Sequence, residues 1–493
     1  LAILTAVGLA AGCASTASTP SAAVSVPQAQ DSYFKAGAAR AQTLATGERA
    51  KNVILFVGDG MGISTVTAAR IFAGQQQGRD GESYGLTMDS FPHTALSRTY
   101  SHDAQVAESA ATATAMTTGV KTGAGGLGLT QAAKRGQCAD AQAHVARSLW
   151  EIAEDRGLAT GVVTTTRITH ATPGATFAHT VNRNWENDAV VARDNGAPCP
   201  DIARQLIEWP HGDGFEVALG GGRANFLPNT MADPLAPTVK GQRADGRDLT
   251  AEWAAKPGRV HVTTAGALAA LGDARGQKVL GLFHPSHMTY DSQRRRDAAG
   301  EPSLSEMTAF AIRRLSQNSS GYVLMIEGGR IDHGHHEGAA GQALSEAVAF
   351  DAAIKTALDM TSRGDTLVVV TADHSHVMAM AGYARRGTPI LGLSTTMEGA
   401  PAMAKDGKPY TTLGYLNGPG AHEDGAPRAN LTGVDTTSLT YKQQALTPMD
   451  SETHAGEDVA IYAWGPNDAA FSGTLEQNVI FHLMAQSLGL SPR

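Results

Sequence analysis

Along the chain, short branched apolar runs alternate with longer stretches of helical period. Residues 52–57 (N-V-I-L-F-V), 161–166, 323–326 (V-L-M-I), 366–372 (T-L-V-V-V-T-A) and 459–463 are each four to seven residues long. They are rich in Val and Ile and bounded by glycine or charge, the pattern of strands buried on both faces. Residues 150–158 read as a helix closed by Gly157, and 341–360 as a long amphipathic one. The chain closes on another around Val479, Ile480, Leu483 and Met484, with His482 expected on its surface, and residues 31–48 predict a surface helix. Strands and helices in alternation predict an α/β fold.

The residues just past the apolar runs are more telling than the runs themselves. Residues 52–57 break at Gly58-Asp59-Gly60-Met61-Gly62, 323–326 end directly on Glu327, and 366–372 end on Asp373-His374-Ser375-His376. Open α/β sheets bind ligands at the carboxyl ends of their strands, so three strands each delivering an acid there point to one site. After Glu327 come Asp332, His333, His335 and His336, and Asp332 and His336, four apart, share one face of a helical turn. A carboxylate and an imidazole on one face suit Zn²⁺.

Ser109 lies at the start of the Ala/Thr-rich helix 111–118, where N–H groups and the dipole favour an anion. Taken by itself, the segment reads Ser109 as the N-cap. Residues 123–128 match G-x-G-x-x-G, but a helix rather than a strand precedes them, so they read as a surface loop and not a dinucleotide site. Gly220-Gly221-Gly222-Arg223 reads as a tight turn. Residues 167–183 carry His170, Thr172, His179 and Arg183, and the five donors of a guanidinium match phosphate oxygens.

Composition narrows the partners. A net charge of −8 in 493 residues carries no basic footprint for nucleic acid, and Arg294-Arg295-Arg296 reads as a solvated loop. Residues 1–13 are apolar and too short to span a bilayer, as expected of a signal-peptide remnant. Their end, L-A-A-G-C, leaves two readings open: a lipobox with Cys13 lipidated, giving a periplasmic or outer-membrane-anchored lipoprotein, or ordinary cleavage to a periplasmic or secreted protein. Residues 14–30 read as a flexible tether. Setting Cys13 aside, Cys138 and Cys199 are an even pair, expected as one disulfide in an oxidising compartment, with two buried thiols as the other reading.

Taken in order, V-G-D-G-M-G, E-S-A-A-T-A-T-A, T-T-T-R-I-T-H-A-T-P, H-T-V-N-R-N-W, E-G-G-R-I-D-H-G-H-H-E, T-A-D-H-S-H and T-H-A-G-E-D-V resemble the alkaline phosphatases, in particular the animal-type branch, over about 31–490. That resemblance implies a three-layer α/β/α sandwich on a central mixed, mostly parallel sheet. It implies a homodimer that hydrolyses phosphate monoesters of broad type through a phosphoserine at a two-zinc, one-magnesium site. Asp332, His336 and His454 would hold one zinc; Asp59, Asp373 and His374 the other, with Ser109 as the reacting ligand. Asp59 would also reach magnesium, completed by Thr172 and Glu327. Arg183 would clamp two phosphate oxygens, with His170 and His333 nearby. Serine is a poor nucleophile at its own pKa, so zinc coordination would activate it.

Some positions depart from the family pattern. Glu108 stands where Asp is usual, and its extra methylene is expected to loosen the pairing with Arg183. His284 and Leu235 replace acids of the animal-type calcium site, leaving the Phe283 carbonyl and Glu301, so no calcium is expected. Residues 380–449, rich in Gly, Pro and Thr, read as a crown-like insertion. A phosphodiesterase on the same metal scaffold and a non-catalytic phosphate-binding lipoprotein are the alternative functions.

Overall fold

The computed structural model describes residues 22–493 apart from 197, 295–296, 298–299 and 423–425, so the signal-peptide and Cys13 expectations lie outside the described residues, as do Arg295 and Arg296. The predicted apolar runs form the middle of a ten-stranded sheet. Its strands are β1 (Asn52–Gly58), β2 (His93–Arg98), β3 (Ala159–Arg167), β4 (Val217–Gly221), β5 (Arg259–Val262), β6 (Lys278–Leu282), β7 (Tyr322–Gly328), β8 (Thr366–Ala372), β9 (Val459–Trp464) and β10 (Gly473–Glu476). The spatial order is β10-β2-β9-β8-β1-β7-β3-β4-β6-β5. β9 is antiparallel to both of its neighbours, and every other pairing is parallel.

Buried on both faces, the central strands split their side chains by parity. Val53, Leu55 and Val57 of β1 join one core, and Ile54 and Phe56 the other. The first core is capped by helices α1 (Ser32–Leu44), α3 (Ser109–Thr118) and α7 (Val479–Ser487), the second by α2 (Ile63–Gln76), α4 (Leu304–Leu315) and α6 (Ala340–Met360). Between α4 and α6 lies the short α5 (Arg330–His336). This is the expected three-layer α/β/α sandwich.

The strand order brings the site together. β8, β1 and β7 are adjacent and parallel, with Gly58 level with both Ala372 and Gly328. Adjacent strands lie about 4.8 Å apart. Asp59, Glu327 and Asp373, scattered over the sequence, therefore leave neighbouring strand ends side by side. A two-stranded pairing of Ser375–His376 with His454–Ala455 then folds His454 onto the same spot.

Several expectations need correction. Residues 22–30 are not a flexible tether, because Ala22–Val24 pairs in parallel with Leu490–Pro492; residues 14–21 lie outside the described residues. Gln28 is buried, its amide donating to Thr118 O and Arg147 O at 3.1 and 2.9 Å. His482 is not on the surface of α7; it is 4% exposed, 4.6 Å from the Phe34 ring, because α1 packs over it. Arg294 ends a short helix, Asp291–Arg294, and bonds Asp291, so it is not simply a solvated loop residue. Residues 380–449 contribute to a small three-stranded sheet of Met378–Met380, Leu413–Gly418 and Ala445–Pro448. Cys138 and Cys199 are joined, bracketing the segment that carries His170, Thr172 and Arg183.

Candidate active site

Four acids converge below the strand ends. Asp59, Glu327 and Asp373 are fully buried, and Asp332 is 4% exposed. Neither carboxylate oxygen of Asp59 has a hydrogen-bond partner among the described residues, nor do Glu327 Oε1 and Thr172 Oγ1. Glu327 Oε2 is held by Thr164 and Thr166. Burial pushes Asp59 well above the usual carboxylate range, and Asp373, Asp332 and Glu327 add to the rise. Burial likewise pushes Glu327 up to about 7. Buried, mutually repelling carboxylates are costly without cations.

Imidazoles lie among these acids. Asp332, His336, His376 and His454 each offer one atom within 4.8 Å of the others, as do Asp59, Asp332 and His374, and Asp59, His170 and Glu327. His374 Nε2 lies 3.4 Å from Asp59 Oδ1, 3.2 Å from Asp373 Oδ2 and 3.1 Å from Ser109 Oγ. His336 Nε2 is 3.2 Å from both Asp332 Oδ1 and His454 Nε2. Imidazole nitrogens and carboxylate oxygens such as those gathered here are donors zinc takes, and the oxygen-rich corner of Asp59, Thr172 and Glu327 suits magnesium.

Opposite the acids sits Arg183. Its Nη1 donates to Glu108 Oε2 at 2.6 Å and its Nη2 lies 3.0 Å from His170 Nε2. Glu108 is thus firmly paired, contrary to the loosening expected from its extra methylene. It is also the N-cap of α3, accepting from Ala110 N and Ala111 N, both at 3.0 Å, so Ser109 is the first helical residue and not the cap. Capping turns those two N–H groups away from any anion. Burial works to raise Glu108, but Arg183 and the Gly125 and Ala110 N–H groups hold it below the usual range.

The G-x-G-x-x-G segment is no surface loop either. Gly125–Gly128 are buried, with Gly125 N donating to Glu108 Oε1 at 2.9 Å and Gly125 O accepting from Arg183 N at 2.8 Å. Gly125 takes a φ of 82°, which suits glycine.

Sequence reasoning assigned no role to His376, Glu452 or His287. His376 Nε2 lies 2.8 Å from Asp332 Oδ1, and its Nδ1 meets Glu452. His287 stacks edge-on against His333, ring centres 4.2 Å apart, and stands 5.3 Å from His170. His376 was visible two residues past His374; nothing local marks the other two.

A doubly covered, mostly parallel sheet whose strand ends gather acids, imidazoles, a serine and a paired arginine defines a metal-dependent hydrolase. The alkaline phosphatase family model matches residues 50–490. The chain is 47% identical over 451 residues to the chicken (Gallus gallus) tissue-nonspecific alkaline phosphatase, covering 90% of this chain and 85% of that one. It is 46% identical to the cod (Gadus morhua) alkaline phosphatase, covering 89% and 91%. Among solved structures, the Thermus thermophilus alkaline phosphatase superposes with a TM-score of 0.65 at 26% identity, covering 92% and 94%. That of the Antarctic bacterium TAB5 shares the fold, with a TM-score of 0.60 at 24% identity, covering 90% and 99%. The chain belongs to the alkaline phosphatase family and is a phosphoric monoester hydrolase.

Proposed function

We propose that the chain hydrolyses phosphate monoesters through a phosphoserine on Ser109, at a site loaded with two zinc ions and one magnesium ion. The observation that carries this is the buried Ser109 hydroxyl 3.1 Å from His374 Nε2, beside carboxylate oxygens that no donor among the described residues satisfies. Asp332, His336 and His454 would hold one zinc, Asp59, Asp373 and His374 the other, and Asp59, Thr172 and Glu327 the magnesium. Bound there, the metals supply Lewis acidity and positive charge for a phosphoryl dianion.

The protein's own groups do the rest. Arg183 grips two non-bridging oxygens, its position fixed by Glu108 and Gly125. Ser109 Oγ attacks phosphorus, losing its proton, while the ester oxygen leaves and takes up a proton to give the alcohol. Water then attacks the phosphoserine, Ser109 Oγ regains a proton, and inorganic phosphate departs. His170 and His333 are kept neutral, His333 at about 3, by burial and by the nearby arginines, so they accept or donate to phosphate oxygens without adding charge. We propose further that the protein is exported, anchored at Cys13 if the L-A-A-G-C run is processed as a lipobox, and dimeric like other family members. The Cys138–Cys199 bond supports an oxidising compartment.

The reading is tested by mixing enzyme with a chromogenic monoester, quenching in acid and mapping peptides. Phosphate on Ser109, absent from Ser109→Ala, is expected. Turnover with no modified serine would contradict the covalent route, and faster turnover of a diester would favour the phosphodiesterase.

A further inference from the structure

Behind the Arg183 clamp lies a second buried network that the mechanism above does not use. Glu151, 1% exposed, accepts from Ser148 N at 2.7 Å and meets His179 Nε2 at 2.8 Å and His211 Nε2 at 3.0 Å. The other ring nitrogen of His179, Nδ1, stands 2.8 Å from Gly128 O. Both nitrogens of His179 therefore face acceptors, a carbonyl and a carboxylate, which fits a ring carrying both protons. The approach is close: a Cβ on Gly128, whose φ is 60°, would lie 2.5 Å from His179 Nδ1.

Gly128 closes the loop whose Gly125 bonds both Glu108 and Arg183. The same loop is zipped to the Arg183 segment, Leu127 and Thr180 exchanging N–H···O bonds of 2.9 and 3.0 Å. His179 thus straps the two backbones that hold the clamp to a carboxylate in the core.

We propose that His179 is a positioning residue: its imidazolium, strung between Gly128 O and Glu151, fixes the Gly125–Gly128 loop against residues 180–183 and so sets how tightly Arg183 holds phosphate. This rests on the reading that Arg183 grips phosphate. The charged groups acting on His179 are Glu151 and Arg147; His211 shares Glu151, and Asp155 pairs with His211. Burial works to lower His179, but Glu151 and Gly128 O outweigh it and hold the ring above its usual value. The strap is complete below the usual value and weakens as pH rises through the raised one.

The test compares wild type, His179→Ala, His179→Gln, Glu151→Gln and Arg183→Ala, all with zinc and magnesium supplied. It measures kcat, KM and inhibition by inorganic phosphate across pH, with melting temperatures alongside. In His179→Ala, KM and the phosphate inhibition constant are expected to rise about tenfold while kcat changes by less than about twofold. Glu151→Gln should shift both constants the same way. His179→Gln, whose amide can still donate to Gly128 O, should recover most of the loss. The gap between wild type and His179→Ala should narrow as pH rises. A kcat loss that tracks melting temperature with the phosphate constant unmoved would overturn the proposal, as would an unmoved constant in His179→Ala when Arg183→Ala raises it. If Arg183→Ala leaves it unmoved, the reading of Arg183 falls, and the strap with it.

Discussion

The acids below the strand ends and the arginine facing them are solved in opposite ways. On the arginine side most contacts are made within the protein: Arg183 meets Glu108, His170 and Gly125, and Glu108 accepts three backbone N–H groups besides. On the acid side, both oxygens of Asp59, Glu327 Oε1 and Thr172 Oγ1 are buried without such partners among the described residues. The arginine pole is largely paired within the protein, His170 Nδ1 excepted; the acid pole carries unmet buried charge that cations would offset. On the proposed reading, the clamp's contacts do not rest on metal, whereas the acid cluster would depend on it for both stability and chemistry.

Breaking the acid pole should cost most. Ser109→Ala and Asp59→Ala are each expected to lower kcat/KM on the order of a thousandfold or more, read with a chromogenic monoester at saturating metal. Metal removal comes next. An ion present at a thousand times its Kd contributes about 4 kcal/mol to stability, so chelation should lower the melting temperature sharply and zinc should restore it. Breaking the clamp is milder. Arg183→Ala should raise KM and the phosphate inhibition constant by about 10- to 100-fold, as for loss of charge-assisted hydrogen bonds. Glu108→Asp, which keeps charge and cap, should change them by about threefold or less.

A further effect, on stability and not on turnover, is one of pH. His179 and His211 are both held above their usual value despite burial, by Glu151 for His179 and by Glu151 and Asp155 for His211. A raised histidine stabilises the fold fully below its unfolded value, about 6.5, and loses that contribution as pH rises through the folded one. Glu151→Gln should therefore cost up to about 3 kcal/mol near pH 6, less at pH 9, measured as the melting-temperature difference from wild type across pH.

Much of this was legible in the chain because strand termini are local events. An apolar run that stops on an acid tells where a side chain emerges, so Asp59, Glu327 and Asp373 could be read directly, and Asp332 and His336 followed from helical spacing. The features that stayed hidden depend on long-range packing. Glu108 competes with Ser109 for the helix cap only because Arg183 and Gly125 converge on it. The glycine loop is buried because residues 180–183 zip to it, and His482 is buried because α1 crosses α7. His376 reaches Asp332 from 44 residues away, and Glu452, 76 residues beyond His376, reaches the other side of its ring. His287 comes from a loop with no periodicity at all.

The proposed role of the buried acids is to hold metal for monoester hydrolysis. Elemental analysis of the active protein, with its rate on a monoester measured on the same sample, tests it most directly. Two zinc ions and one magnesium ion per chain are predicted, with the rate falling in step as the zinc is stripped. A protein that keeps its full rate with no bound metal would contradict the account.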